Sequence, residues 1–181
     1  MRPHFSIAVG VILAAGAVAN CTDQPVVAPS TSRPVFWKGD VVDGRMTGGG
    51  GQITIGDVQI TRGLTIHCDI TLSNNIEINW PDNKWHLNKP ITSADCIDDP
   101  AISPEPPPAP FDTFIGTADG ELNGVDGSRL EFTFIDSGEP GGKNDLSQLK
   151  IFSPAGDVVL DVPLSFLDHG NLQAHYDQPH K

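Results

Sequence analysis

From Gln52 onward, apolar and polar residues alternate in short runs, and Gly, Pro, Asn and Asp separate the runs. A period of two with turn residues between predicts antiparallel strands that bury one face. The clearest case is QITI, Gly56-Asp57, VQIT, a hairpin pattern that should place Ile53, Ile55, Val58 and Ile60 on one buried face. After a break at Arg62-Gly63, Leu64, Ile66, Cys68 and Ile70 alternate with Thr65, His67 and Asp69. Ile76, Ile78 and Trp80 then alternate with Glu77 and Asn79. If Pro81 to Lys84 is a four-residue corner, Trp80 faces Trp85, Ile78 faces Leu87, and His86 lies beside Asn79 on the polar face.

The pattern continues beyond Phe111 through FIGTA, GELNG, RLEFTFID, LSQLKIF and VVLDVPL, each closed by a Gly- or Pro-containing turn. The last segment, FLDHGNLQAHYD, reads as an edge strand. Together these runs predict an all-β domain over 35–178, an antiparallel two-sheet sandwich with a small barrel as the alternative, and little or no helix in the mature chain. Nineteen glycines and sixteen prolines against 7% aromatic residues agree with a turn-rich fold.

Two stretches interrupt the alternation. Gly48 to Gly51 lacks the Gly-Lys-Ser/Thr ending and the following helix that a phosphate cradle needs, so it reads as a strand or bulge where backbone passes close to something. Asp98 to Pro110, DDPAISPEPPPAP, is too rich in proline for a sheet and predicts an extended crossing; a proline-motif ligand is the other reading.

The N-terminus belongs to targeting. Arg2 precedes an uncharged apolar run, Phe5 to Ala19, of about 15 residues, where a membrane-spanning helix needs ~20. Residues 1–20 therefore read as a signal peptide and 21–34 as a Pro/Ser/Thr-rich tether. Ala17-x-Ala19 fits ordinary cleavage and a soluble periplasmic or secreted product. Val18-Ala19-Asn20-Cys21 resembles a bacterial lipobox with Asn20 as its departure, which would acylate Cys21 and leave an outer-membrane or cell-surface lipoprotein. Three cysteines in an exported chain leave one over. Lipid on Cys21 resolves that count, with Cys68 and Cys96 as the pair. A bridge between them would add roughly 3 to 4 kcal/mol on the chain-entropy model, and export favours it over zinc thiolates.

The formal charge of -12, from 23 acidic and 11 basic residues, argues against nucleic acid, whose binding requires neutralised phosphates. Membrane contact is expected only through the lipid, and an extracellular protein or glycan is the partner class. Carboxylates in number also suit calcium.

Two candidate sites follow. If the central strands are neighbours, His67, Asp69, Glu77, Asn79 and His86 share the outer face, where imidazoles and carboxylates would hold zinc or copper or act as general acid and base. A solvated outer face is the plainer reading. The loop from Asp136 to Asp145 carries Asp136, Glu139, Asn144 and Asp145 as hard oxygen donors for calcium, without EF-hand spacing. His169, His175 and His180 read as edge residues or further metal ligands, and Trp80 with Trp85 as core rather than a sugar platform. There is no Gly-x-Ser-x-Gly, HExxH or CxxC motif.

Several segments carry a joint resemblance: Thr47-Gly48-Gly49-Gly50, LTIHCD at Leu64 to Asp69, NNIEINW at Asn74 to Trp80, WHL at Trp85 to Leu87, Cys96 with Asp98-Asp99-Pro100, PFDTFIG at Pro110 to Gly116, DSGEPGGKND, and GNLQAH. Over about residues 46–175 the chain resembles a family of secreted bacterial β-domains found after choice-of-anchor modules or alone on exported proteins. The resemblance implies a small extracellular β-domain with no assigned reaction. The expectation is a noncatalytic binding or structural module; the alternatives are a metal-dependent hydrolase on the His67/His86 face and a calcium-stabilised adhesion domain.

Overall fold

The computed structural model describes residues 44–102 and 109–177, all within one compact unit, Lys38–Lys181. The expected signal peptide, the expected tether with Cys21, residues 35–43 at the start of the expected domain, the centre of the proline-rich crossing and His180 lie outside the described residues.

Alternation dictates the elements. The strands are β1 (Gly44–Ile55), β2 (Val58–His67), β3 (Asn75–Trp80), β4 (Asn83–Ile97), β5 (Thr113–Leu122), β6 (Val125–Ile135), β7 (Leu146–Phe152), β8 (Val158–Phe166) and β9 (Gln173–Tyr176). They form one antiparallel sheet in the order β8-β7-β6-β5-β4-β3-β2-β1-β9, with no helix among the described residues. Chain neighbours are sheet neighbours as far as β8; then the chain returns to lay β9 along β1. The sheet curls, and the link after β8 ties its two ends together. Gln52 N–H donates to His169 O (3.0 Å), and Asp168 N–H donates to Gln52 O (2.8 Å).

One core lies inside the curl. Ile60, Leu64 and Ile66 of β2 meet Ile76, Ile78, Trp85, Leu130, Leu149 and Ile151, all buried. Phe114 packs on Phe132 with ring centres 5.7 Å apart, and Phe132 on Phe134 at 4.9 Å. Each such pair adds about 0.5–1.5 kcal/mol beyond the area it buries.

Three details depart from the sequence reading. β2 runs unbroken through Arg62-Gly63, so Arg62 falls in phase with Ile60 and Leu64 and points inward, where it is 3% exposed. The β3–β4 turn holds only Pro81 and Asp82, because Asp82 adopts φ 61° and closes a two-residue hairpin. Trp80 therefore pairs with Asn83, Ile78 with Trp85, and Glu77 with His86. A slip of two preserves the faces, so Trp85 is still core. At the first hairpin, Ile53 and Ile60 are buried as expected, but Ile55 and Val58 sit at the projecting tip and are exposed.

Edges are managed by shape. β8 leaves one side unpaired and exposes Val158, Leu164 and Phe166, yet a register shift opposite Ser147 and Leu149 places Pro163 in a bulge. Proline and a bulge both make an edge a poor template for another strand.

The disulfide joins Cys68, just past β2, to Cys96 near the end of β4, with their Cα atoms 6.0 Å apart. Its sequence separation of 28 makes the constraint on the unfolded chain substantial. Replacing both cysteines by serine should lower the urea-unfolding free energy by roughly 2–4 kcal/mol; an unchanged midpoint would mean that hydrogen bonds alone hold these strand ends.

Candidate functional site

The expected outer-face cluster is divided in two. Register places Glu77 opposite Gly63 on β2, four residues from His67, a separation of roughly 13 Å at ~3.3 Å per residue. His67 lies beside Asp177, with Nε2 3.6 Å from Oδ1, and its backbone N–H donates to Asn74 Oδ1. Asp69 has left the strand and accepts from the Thr71 N–H (3.0 Å) and hydroxyl (2.7 Å). Glu77 pairs with Lys84 at 2.8 Å and accepts from Asn79; both hold its carboxyl below the usual range, the lysine contact more strongly. His86 stands opposite Glu77 alone of the proposed ligands. Among the described residues no three His, Cys, Asp or Glu side chains gather closely enough to share a metal ion.

The loop after β6 was expected to cage calcium and instead fastens the C-terminal segment. Asp136 Oδ2 accepts from Ala174 N–H (2.7 Å) and Asp145 Oδ2 from Leu172 N–H (2.6 Å). Glu139 Oε1 accepts from Asn171 Nδ2 (3.0 Å) and Gln173 Nε2 (3.1 Å). The other oxygens turn to the loop itself: Asp136 Oδ1 accepts from Gly138 N–H, Asp145 Oδ1 from Ser137 N–H and Glu139 Oε2 from Gly141 N–H. Asn144 points its amide at Pro140 O. These carboxylates are spent on N–H donors of the chain, and the result is a clip that holds β9 against β1.

Beneath the clip lies the least expected group. Arg62 enters the core, donates from Nε to Ser147 Oγ at 3.0 Å, and rests its guanidinium 5.0 Å from the centre of the Phe134 ring. Nη1 and Nη2 are buried without a hydrogen-bond partner. Burial lowers its pKa to about 10 against the opposing attraction of Asp145, a depression equivalent to about 3 kcal/mol. Asp145 is fully buried, and burial raises its pKa to about 6 in spite of the Leu172 and Ser137 N–H bonds. Both partners shift toward neutrality, so desolvation outweighs their mutual attraction.

The glycine run explains how the arginine fits. A Cβ on Gly48 would lie 2.6 Å from Arg62 Nη1, and one on Gly51 2.8 Å from Cζ. Between them the β1–β2 register shifts and Gly49 and Gly50 bulge outward. The close approach expected at Gly48 to Gly51 is an approach to a buried guanidinium and to Leu172. Arg62 was missed because an arginine beside a glycine in the middle of a pattern reads as a turn; its even spacing from Ile60 and Leu64 was the available signal.

At the sheet edge, Thr47 Oγ1 lies 3.2 Å from His175 Nε2, and burial followed by the charge of Arg45 lowers the His175 pKa. His169 serves through its backbone carbonyl. A shallow depression between the 68–74 connection and β4 is lined by Leu72, Asn74, Leu87, Asn88 and Lys89, the last paired with Asp126 at 2.9 Å. Comparison with protein-family profiles, curated proteins and solved structures returns no match.

Two outcomes check this arrangement. Gly48→Ala and Gly51→Ala should each destabilise by roughly 1–3 kcal/mol through overpacking, whereas Gly49→Ala, with nothing within 4 Å, should stay within about 0.5 kcal/mol in urea unfolding. Zinc should leave the melting temperature unchanged; a rise that His67→Ala removes would restore the metal-face reading.

Proposed function

We propose that this chain is an exported, lipid-tethered β-domain acting without catalysis, as a binding or structural module at a bacterial surface. The observation that carries the reading is the Cys68–Cys96 disulfide, which suits an oxidising compartment and leaves Cys21 as the odd cysteine. Cys21 is then the lipid acceptor, and the Pro/Ser/Thr-rich stretch behind it is the spacer.

A noncatalytic role draws support from where the polar side chains are spent. Asp136, Glu139 and Asp145 hold the chain's own N–H groups, Lys84 and Lys89 pair with surface carboxylates, and most of the buried side chains are aromatic or aliphatic. A hydrolase on the outer face would need His67 and His86 to meet, and the register sets Glu77 beside His86 on β4 and beside Gly63, four residues from His67, on β2. The resemblance to secreted bacterial β-domains agrees with the same reading and adds no reaction to it.

Growth of producing cells with radiolabelled palmitate tests the tether. Label on the wild-type chain in the membrane fraction, and its loss with release to the soluble fraction in Cys21→Ser, is the expected result. An unlabelled soluble wild type whose mature N-terminus is Asn20 would replace the lipoprotein with an ordinary secreted protein.

A further inference from the structure

The outer face of the half-sheet from β5 to β8 is apolar at one end. Phe132 and Phe134 of β6 and Leu149 of β7 point into the core, so Ile135 and Leu146, out of phase with them, point away from it. Register sets Ile135 opposite Leu146 and Leu146 opposite Phe166, three apolar side chains in one row. In the next row Ile115 faces Thr133 and Thr133 faces Gln148, and the bulge of β8 brings Leu164 across from Gln148. Phe166 is 59% exposed, Leu164 47% and Ile115 38%. Farther along the same face the chain covers its own aromatic ring, for Phe152 lies under Arg129 at 4.4 Å and Lys150 at 5.9 Å. Strand pairing does not account for the exposed row, because Pro163 and the bulge spoil the β8 edge as a template. Whatever covers it is recognised by side chains.

The charges beside this row are mainly carboxylates. Asp95 lies opposite Ile115, Asp136 follows Ile135, and Asp168 stands two residues past Phe166. Lys150 is matched by Asp161 at 3.2 Å and Arg129 by Glu131 at 2.9 Å. Lys143, brought near by its N–H bond to Leu167 O, is outnumbered. An apolar patch rimmed by one sign of charge favours a partner that carries the other. The same rim repels an anionic lipid surface, and it repels a second copy of this chain, whose formal charge is also -12.

We infer that this end of the outer face, from Ile115 across to Phe166, is a docking surface for a segment of another exported protein in which apolar side chains are flanked by lysine or arginine. Phe166 and Leu164 bury against the apolar side chains of that segment, and Asp95, Asp136 and Asp168 meet its cations at the rim. The inference rests on the binding-module reading and gives it a surface and a partner chemistry.

Panning a random peptide library on the mature chain tests the surface. The expected outcome is enrichment of sequences that join apolar residues to lysine or arginine, with affinity that weakens as salt rises. Binding should fall about tenfold in Phe166→Ser and in Leu164→Ser. Val125→Ser removes a side chain that is just as exposed, at 58%, but begins β6 at the far turn, and should leave binding unchanged. Enriched peptides that are acidic, or that bind Phe166→Ser as well as wild type, would overturn the surface and leave the binding-module reading standing. No enrichment at all would overturn it and leave a structural module. Two other occupants are separated by the same variant. A dimer in sedimentation equilibrium that Phe166→Ser dissociates would make the occupant a second copy, and binding to phosphatidylcholine vesicles that Phe166→Ser abolishes would make it a lipid surface; either result overturns the inference.

Discussion

Burying one guanidinium decides much of how this sheet is built. Arg62 is carried inward by the alternation of β2, and a charge inside a curled sheet is tolerable only if backbone and side chains are arranged around it. On one side β1 gives up its side chains from Gly48 to Gly51 and bulges. On the other, Phe134 offers a ring face, Ser147 a hydroxyl oxygen and Asp145 a nearby negative charge. Four elements, β1, β2, β6 and β7, are committed to accommodating one side chain. Replacing such a pair with apolar groups is often neutral or better for stability, so its value here lies in fixing register: a one-residue slip of β2 would bring Arg62 to the outer face and leave the glycine bulge without an occupant.

The arginine also links the core to the C-terminal clip. Asp145 bonds Leu172 with one oxygen and Ser137 with the other, so the carboxylate nearest the guanidinium is the one that positions the approach to β9. β9 is only four residues long and pairs with β1 from Gly44 to Thr47, too short to be held by ladder hydrogen bonds alone. Side-chain carboxylates provide the rest, and they do it by accepting from backbone N–H groups, which leaves those oxygens committed to the fold. The loop's acidity has a structural cause: a returning chain presents N–H donors, and carboxylates are the strongest acceptors available to meet them.

Much of the fold was legible in the sequence because period-two alternation reports a half-buried strand directly. The all-β class, the Gly56-Asp57 hairpin, the strands ending at Phe152 and near Phe166, the edge strand at the C-terminus and the Cys68–Cys96 bridge all follow from local pattern and cysteine arithmetic. Register was less legible. Asp82 in a left-handed conformation shortened a turn by two residues, and nothing in Pro81 to Lys84 distinguishes a two-residue from a four-residue corner without its dihedral angles. The candidate sites were least legible, since they depend on which distant segments meet. Asn171 and Glu139 are separated by 32 positions along the chain, and alternation carries no information about that contact.

The two candidate sites differ in how their residues are arranged by the fold. The His67/His86 face was inferred from parity alone; parity says which side of a sheet a residue occupies but not how far along its strand it lies, and four residues of offset are enough to separate two ligands. The acidic loop is a cluster, as expected, and its oxygens accept from N–H groups of the returning chain. Converging carboxylates invite a cation, but in a sheet protein whose chain returns to its first strand peptide N–H groups also present positive ends to them. Each oxygen of Asp136, Glu139 and Asp145 accepts from an N–H group of the loop or of the returning chain, so the convergence of these carboxylates has a structural cause within the fold itself.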